Sequence, residues 1–425
     1  MPTPAFSDAA ALTLRAPDSS DAVRDGRPAR YSARAATAAP PAMVWGARRS
    51  RAMARMWLRA GWLALRLYRN PLRAALAIRR WLAAQAGAWR HLPRKSAATS
   101  GRLFLHPYVP GWPSRAFDRC IERELDRSTP VLGRPPALRA AIVAITRRCP
   151  LRCEHCVEWD VLNTPDALST EELRTIARQL RARGVAQVFM SGGEPMQRFD
   201  ALLDLTAELA DEADVWVLSS GWGLSSDRAR RLRDAGLTGV SLSLDHWDAA
   251  AHDRFRGRRG SFEAVVQAAA HVRDADLVLS LSLCPVRSFV SRENLERYAA
   301  LARSLGAGFI QLFEPKAVGH FAGRDVALEP AQQQVLDQFM QWLNRDAGAR
   351  TLPAASYMDR YARLAGCRGA GEYAYVDTDG ALHPCPFCRG HAVPLRGNDI
   401  DRAMAELQAA GCPARSCHTS TGVPS

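Results

Sequence analysis

Residues 145–156, "ITRRCPLRCEHC", place three cysteines within eight positions, at Cys149, Cys153 and Cys156. The apolar run "AAIVAIT" at 140–146 comes directly before them and predicts a buried strand that ends at the cysteine-bearing loop. Three thiols are one short of a closed four-ligand metal site. They can instead hold three corners of a cubane iron–sulfur cluster and leave the fourth iron open. A zinc half-site is the alternative, although C-x3-C-x2-C is not a usual zinc-ribbon spacing.

The chain after residue 138 alternates apolar strand candidates with helical stretches. Alternation of this kind implies parallel strands joined by right-handed crossovers. Six such units are too few for an eight-stranded barrel, so we predict an α/β fold with a partial (β/α)6 TIM-like barrel. The five strand candidates after the first are "AQVFMSG" (186–192), "VWVLSS" (215–220), "GVSLSLD" (239–245), "LVLSLSL" (277–283) and "GFIQLFEP" (308–315).

Helix boundaries are marked by local signals. Ser169 and Glu172 form the pattern of a capping box, and Gly184 and Gly306 stand where two helices should end. A further helix is expected at 329–347. The tail after it predicts a short hairpin around Asp379 and Gly380 and a helix near 400–410.

Composition limits the class of protein without choosing a partner. The 425 residues are 47% hydrophobic, which is enough for a large core, and the net charge is +14. A basic balance permits contact with an anionic membrane, an acidic substrate or nucleic acid. We see no Sec signal and no run of eighteen apolar residues, so we expect reduced thiols and a cytoplasmic protein, with the inner membrane surface as an alternative location.

Residues 43–95 predict basic amphipathic helices after an Ala/Pro/Arg-rich leader at 1–42, which we expect to be disordered. Leu58, Trp62 and Leu65 recur at helical spacing, and Asn70 followed by Pro71 predicts the start of a second helix. This pair of predicted helices is compatible with two arrangements. One rests on a membrane surface, with tryptophan at the interface and arginine toward lipid phosphates; the other is a hairpin packed on the main domain.

Three motifs in order resemble the radical S-adenosylmethionine (SAM) superfamily. The first is C-x3-C-x2-C after a first strand, with the aromatic-type residue His155 before the third cysteine. The second is "SGGEP" at 191–195, and the third is "SLDHWDAAAHDRFRG" at 243–257. The resemblance covers about residues 138–320, which we therefore expect to form a radical SAM core.

The resemblance implies cofactors and a reaction. A 4Fe-4S cluster on Cys149, Cys153 and Cys156 would have an open iron that binds SAM. One electron would split the sulfonium C–S bond, and the 5′-deoxyadenosyl radical would abstract a hydrogen atom from the substrate. His155 is carried over as a cofactor-binding residue of the cysteine loop. The other SAM-binding residues are Gly192, Gly193 and Glu194 near the amino group, Ser243 near the ribose, and Arg256 at the carboxylate, with Arg254 as its alternative. Ser219 and Ser220 end the third strand and are further candidates to face the cofactor.

The cysteines of the region 350–425 resemble SPASM and Twitch extensions, which hold auxiliary iron–sulfur clusters. Five cysteines are fewer than the SPASM set, so one auxiliary 4Fe-4S cluster is expected. Its ligands would be Cys367, Cys385, Cys388 and either Cys412 or Cys417. A zinc site formed by the last four of these cysteines is the alternative.

Other side chains at strand ends are candidates for the substrate site. Cys284, Glu314 and His246 follow predicted strands at the end of the barrel that carries the chemistry. A buried thiol, an ion-paired glutamate and a surface histidine are the ordinary alternatives. Cys120, in a predicted helix, is expected only to pack.

The function predicted from these observations is a radical SAM enzyme that acts on a peptide or protein. A small-molecule or cofactor precursor is the alternative substrate. A non-catalytic iron–sulfur or zinc scaffold that senses redox state or binds nucleic acid is the rival from another class. An enzyme of this kind also needs a reductant such as flavodoxin or ferredoxin.

Overall fold

A computed structural model describes residues 42–89, 93–133, 135 and 138–410. The predicted leader lies outside these residues except for its last position. Cys412 and Cys417 also lie outside them, so the choice of a fourth auxiliary ligand stays a prediction.

The N-terminal part is a helical hairpin, a small antiparallel sheet and a third helix. Its elements are β1 (Ala42–Trp45), α1 (Gly46–Tyr68), α2 (Pro71–Trp89), β2 (Lys95–Thr99), β3 (Arg102–Phe104) and α3 (Arg115–Ser128). The Asn70 carboxamide accepts hydrogen bonds from the N–H groups of Leu72 and Arg73, so the predicted start of α2 is confirmed. None of the described helices combines the length and apolar character needed to cross a bilayer.

The hairpin packs on α3 through one apolar face of each helix. Met56 and Leu63 of α1 and Trp81 of α2 are buried with Phe117 and Leu125 of α3. The predicted stripe of Leu58, Trp62 and Leu65 is on the other side of α1 and is exposed. Of the two structures that the sequence fits, a packed hairpin is therefore present, but a different set of residues forms its buried face.

The six predicted strands are all present and all parallel. The barrel region consists of β4 (Ala140–Ala144), α4 (Thr170–Arg183), β5 (Gln187–Ser191), α5 (Phe199–Leu209), β6 (Asp214–Ser219), α6 (Ser226–Asp234), β7 (Gly239–Ser243), α7 (Ala249–Arg256), α8 (Ser261–Asp274), β8 (Val278–Leu283), α9 (Arg292–Ser304) and β9 (Phe309–Leu312). The capping box at Ser169 and Glu172 is formed, and Gly184 and Gly306 have the positive φ of helix-ending glycines.

The sheet continues beyond the six predicted strands at both edges. The later elements are α10 (Pro330–Arg345), β10 (Ala354–Tyr357), α11 (Met358–Ala365), β11 (Tyr373–Val376), β12 (Ala381–His383), β13 (Val393–Pro394) and α12 (Ile400–Ala410). The order is β10-β9-β8-β7-β6-β5-β4-β11-β12-β13. β11 pairs with β4 in parallel and with β12 as the predicted hairpin. The cysteine-rich tail is thus an extension of the barrel sheet.

The N-terminal strands fill the inside of the partial barrel where its strands begin. Phe104 of β3 contacts Trp216 of β6 edge-on, with 6.4 Å between ring centroids. The Tyr108 hydroxyl donates to the Gln311 carboxamide oxygen at 2.5 Å. The Gln311 amide in turn donates to Ser241 and Ser280 at 3.0 and 2.9 Å. These side chains therefore occupy the end of the barrel interior where the strands begin.

The edge strand β10 is held by one buried side chain, Asn344 of α10. Its carboxamide oxygen accepts the N–H of Ala355, and its amide donates to the carbonyl of Ala355, both at 2.8 Å. We expect Asn344→Ala to lower the free energy of unfolding by about 2–4 kcal/mol, because two buried backbone groups lose their partner. Urea unfolding followed by circular dichroism measures this change. Gln341→Ala, at an exposed position of α10, is the control, and an equal effect of both would contradict the assigned role.

Candidate active site

One cavity of about 960 Å³ joins most of the residues singled out in the sequence. It extends from the carboxyl ends of the barrel strands, where parallel (β/α) folds place their chemistry, to the inner faces of α1, α2 and α3. The predicted site residues among its lining are Cys149, Cys153, His155, Cys156, Gly192, Gly193, Arg256, Cys284, Glu314 and Cys385.

The cysteine loop is held by backbone contacts from two other segments. The N–H groups of Arg152 and Glu154 donate to the carbonyls of Arg256 and Phe255 at the end of α7. From the other side, the N–H of His320 donates to the Cys156 carbonyl at 2.9 Å, and its ring Nδ1 lies 2.9 Å from the Cys153 carbonyl. No pattern in the sequence indicates a role for His320, because only the fold brings residue 320 to residue 156.

The three thiols fit an iron–sulfur cluster by their chemistry and position. Burial raises the pKa of Cys149 and of Cys156 to about 12, and burial also raises the pKa of Cys153. The thiols are therefore protonated without a metal and must release protons when they bind one. Among the described residues, no three or more His, Cys, Asp or Glu side chains are arranged to hold a single metal ion. In a cubane each thiolate binds its own iron, so its ligands surround a cluster rather than meet at one ion.

Gly192 and Gly193 let the second strand loop lie directly on the cysteine loop. The N–H groups of Gly193 and Glu194 donate to the carbonyls of Thr146 and Arg148 at 2.7 and 2.8 Å. Gly192 has φ +126°, and a Cβ there would stand 2.5 Å from the Thr146 carbonyl oxygen. A Cβ on Gly193 would overlap the Arg148 carbonyl. The N–H groups of Gly193 and Glu194 are thus already used, and Gly192 and Gly193 line the cavity.

The Glu194 carboxylate is buried and fully engaged by its neighbours. It accepts hydrogen bonds from the Ser219 hydroxyl at 2.8 Å, from the Ser220 hydroxyl and N–H at 2.5 and 2.7 Å, and from the Met196 N–H at 3.1 Å. Burial raises the pKa of Glu194, and these hydrogen bonds oppose that rise. Ser219 and Ser220 were candidates to face the cofactor, whereas their hydroxyls donate to Glu194 and orient it. Direct contact of Glu194 with SAM stays a prediction.

Arg256 lies beside the cysteine loop, whereas Arg254, the alternative for the same predicted role, does not. The Arg256 guanidinium is buried, pairs with Asp245 at 2.5 Å and donates to the Cys153 sulfur at 3.5 Å. Arg254 is exposed. Asp245 also accepts the N–H of Cys284 at 2.9 Å, which fixes its carboxylate. Asp245 belongs to the motif at 243–257, but the sequence did not assign this residue a role.

His155 and Ser243 differ in their relation to the cavity. The half-buried His155 ring stacks on Phe255 with 4.9 Å between centroids, and its Nδ1 has no hydrogen-bond partner among the described residues. Burial lowers the pKa of His155 to about 4, so its ring is neutral at physiological pH. Ser243 does not line the cavity. Its hydroxyl accepts from the cavity-lining Ser282 at 3.4 Å, so the predicted ribose contact is still a prediction.

The substrate-side candidates separate into two that line the cavity and one that does not. Cys284 and Glu314 line it, and the Glu314 carboxylate is bound by Tyr357, Arg363 and Gln333. His246 packs its ring against Phe289 and accepts the Asp248 N–H at 2.8 Å, outside the cavity lining. The structure therefore places His246 away from the cavity.

The late cysteines gather around Tyr373 at the edge of the same cavity. Tyr373 has its hydroxyl 3.6 Å from the Cys367 sulfur, and negative charge on Cys367, Cys385 and Cys388 adds to burial in raising the pKa of Tyr373. A turn at Gly380, with φ +78°, joins the two strands between them. Three of the cysteines predicted as auxiliary-cluster ligands therefore lie near one another, and the predicted fourth, Cys412 or Cys417, lies outside the described residues.

Buried Glu158 joins the first cysteine loop to the late cysteines. It follows Cys156 by two residues and is 2% exposed. Its carboxylate accepts hydrogen bonds from the Tyr375 hydroxyl of β11 and from the guanidinium of Arg389, which follows Cys388. Sequence reasoning missed Glu158, since its partners are more than two hundred residues away in the chain.

Comparison with known proteins agrees with this geometry. A model described as the Radical SAM superfamily matches residues 143–302. An AdoMet-dependent heme synthase from Nitratidesulfovibrio vulgaris is 26% identical over 59% of this chain and 74% of its own length. A PqqA peptide cyclase from Streptomyces rochei is 31% identical over 65% of this chain and 76% of its own length. Streptococcus suis SuiB bound to precursor peptide SuiA shares the fold with a TM-score of 0.54 and 15% identity, over 63% of this chain and 64% of SuiB.

The contrast between Arg256 and Arg254 gives a test of the SAM site. We expect Arg256→Lys to weaken SAM binding about tenfold or more, because a point charge replaces a planar guanidinium that reaches both Asp245 and the cluster loop. Equilibrium dialysis of SAM with the iron-reconstituted protein measures this. Arg254→Lys is the matched control and should leave affinity unchanged. Equal affinities of the wild type and both variants for SAM would show that Arg256 does not contribute to SAM binding.

Proposed function

Because this chain belongs to the radical SAM superfamily, whose enzymes use a 4Fe-4S cluster and SAM, we propose that it abstracts a hydrogen atom from a peptide substrate. The observation that carries the proposal is the meeting of three thiols, the Gly192–Gly193 backbone and the Arg256–Asp245 pair on one cavity. Each comes from a different strand end, so their meeting is a property of the fold.

The chain's own residues would bind and orient the cofactors. Cys149, Cys153 and Cys156 would hold the cluster, and the carbonyls of the glycine loop would receive the amino group of SAM. Arg256 places a fixed positive charge at Cys153, where it favours thiolate over thiol. When bound, the cluster supplies the electron that splits the C–S bond of SAM and yields the hydrogen-abstracting 5′-deoxyadenosyl radical.

A peptide substrate is supported by one of the relatives. The 31% identical protein is named a PqqA peptide cyclase, and the match covers 76% of that protein. The net charge of +14 also suits an acidic peptide. A small-molecule precursor is the second candidate, supported by the 26% identical heme synthase.

We also propose one auxiliary 4Fe-4S cluster on Cys367, Cys385, Cys388 and either Cys412 or Cys417. Its support is the grouping of the first three around Tyr373 and the presence of Cys385 in the cavity lining. A cluster there would stand close enough to the substrate space to accept an electron or to bind substrate. Reduction of the first cluster would require a donor such as flavodoxin or ferredoxin.

The proposed reaction predicts that substitution of one cluster ligand abolishes the release of 5′-deoxyadenosine. Anaerobically reconstituted protein with SAM and dithionite should release 5′-deoxyadenosine, and Cys153→Ala should abolish it, since a cluster ligand is missing. Liquid chromatography measures the nucleoside. Cys120→Ala, a cysteine of α3, is the control and should keep full activity. A wild-type protein that releases no 5′-deoxyadenosine would favour a non-catalytic scaffold.

The auxiliary cluster predicts a change in metal content. The wild-type chain should bind about eight iron atoms, and Cys385→Ala about four, because one of two cubanes is lost. Iron and sulfide assays on the purified protein measure this. About four irons with one zinc in the wild type would assign the late cysteines to zinc instead.

The substrate class needs its own measurement. Short peptides encoded beside the gene, co-expressed with this enzyme, should show a changed mass that disappears with Cys153→Ala. The same assay with heme precursors separates the second candidate. Modification of a heme precursor and of no peptide would overturn the peptide assignment and leave the radical chemistry intact.

A further inference from the structure

We propose that the outer face of the α1–α2 hairpin binds the surface of an anionic lipid bilayer. This inference does not depend on the proposed reaction. It rests on three properties of the hairpin, which are its charge, the apolar side chains that it leaves exposed, and the packing that already satisfies its other face.

The charge of the hairpin is entirely positive. Residues 46–89 contain ten arginines and no aspartate or glutamate. Arg59 and Arg66 pair with Asp118 and Glu122 of α3, and Arg49 donates to Ser96. The other seven are exposed and form no ion pair within the described part of the chain: Arg48, Arg51, Arg55, Arg69, Arg73, Arg79 and Arg80.

Exposed apolar side chains are concentrated on the same hairpin. Five of the eight large hydrophobic side chains that are exposed in the described residues belong to it: Leu58 (76%), Trp62 (46%), Leu65 (50%), Leu72 (81%) and Leu82. On α1 they follow the helical repeat i, i+4, i+7, which places them along one line of the helix. Arg51, Arg55 and Arg69 continue that line at both ends.

Trp62 has the surroundings of an interfacial residue. The guanidinium carbons of Arg59 and Arg66 lie 4.2 and 5.0 Å from its ring centre, and both arginines are tied to α3. The ring is thereby held at the surface between fixed cations. Amphipathic helices that lie in the plane of a membrane carry this combination of basic side chains, tryptophan and leucine.

The exposed apolar residues of the hairpin are not part of the face that packs on α3. Met56, Leu63 and Trp81 provide the face that packs on α3, and they leave Leu58, Trp62 and Leu65 without a protein contact of that kind. A second copy of the chain would bring seven unpaired arginines against the same seven. A nucleic acid would match the charge but not the leucines. Anionic headgroups above an apolar interior match both.

Vesicle sedimentation tests the proposal on the full, cluster-loaded chain. We expect the protein to sediment with vesicles of equal parts phosphatidylcholine and phosphatidylglycerol, to be released by added salt, and to stay in solution with phosphatidylcholine alone. The double substitution Leu58→Ser with Trp62→Ser should reduce binding at least tenfold. Val131→Ser with Leu132→Ser, which are 45% and 39% exposed in the loop after α3 and do not line the cavity, is the matched double control and should bind like the wild type.

Charge is tested in the same assay. Arg51→Gln, Arg55→Gln and Arg69→Gln together should reduce binding at least tenfold. The same change at Arg259, Arg303 and Arg350, which are exposed elsewhere, should reduce it much less. Equal loss in both triple variants would mean that net charge alone acts, and would overturn the proposal.

Two further results would also overturn it. One is vesicle binding that none of the hairpin substitutions changes, which would assign the contact to another part of the chain. The other is a dimer seen by light scattering that Leu58→Ser with Trp62→Ser dissociates, which would assign the face to a second copy. Far-ultraviolet circular dichroism spectra and Tm values equal to those of the wild type would show that each variant is folded.

Discussion

The candidate site depends on the close approach of two backbone segments, the cysteine loop and the glycine loop of the next strand. Two hydrogen bonds join them, and neither glycine position has room for a Cβ. This contact turns the N–H groups of Gly193 and Glu194 toward the cysteine loop. It also fixes the position of the glycine loop relative to the three thiols, which is where we propose that SAM and the cluster bind. The geometry of the site therefore depends on a steric constraint, which is the lack of room for a Cβ at Gly192 and Gly193.

Two further features shape this site: the buried ion pair of Arg256 with Asp245, and the strands that fill one end of the barrel interior. Arg256 and Asp245 neutralise each other while buried, and they stand against Cys153 and Cys284. A buried pair of this kind is costly to break, so it holds α7 in place. The strands β2 and β3 fill the opposite end of the barrel interior. The N-terminal part, which lies outside the radical SAM match, also lines the cavity through side chains of α1, α2 and α3.

The late cysteines reach the same cavity because the sheet does not end at the barrel. β11 pairs in parallel with β4, the strand that leads into the cysteine loop. Glu158 then joins the two cysteine regions through Tyr375 and Arg389. A single sheet thus sets the position of the proposed auxiliary cluster relative to the first, in a way that a separate domain on a linker would not. The helical hairpin adds a basic outer face on the far side of its packing with α3.

Local sequence determined the elements and the identity of the central ligands. The alternation of strands and helices, the capping box at Ser169 and the spacing of the three cysteines depend on residues close together in the chain, so they can be read from it. The partners of those residues could not. Asp245 on Arg256, the two serines on Glu194, His320 on the cysteine loop and β11 beside β4 all join positions far apart in sequence. Which face of α1 is buried was also settled only by α3, because Leu58 and Leu63 are equally apolar and the fold covers only one of them.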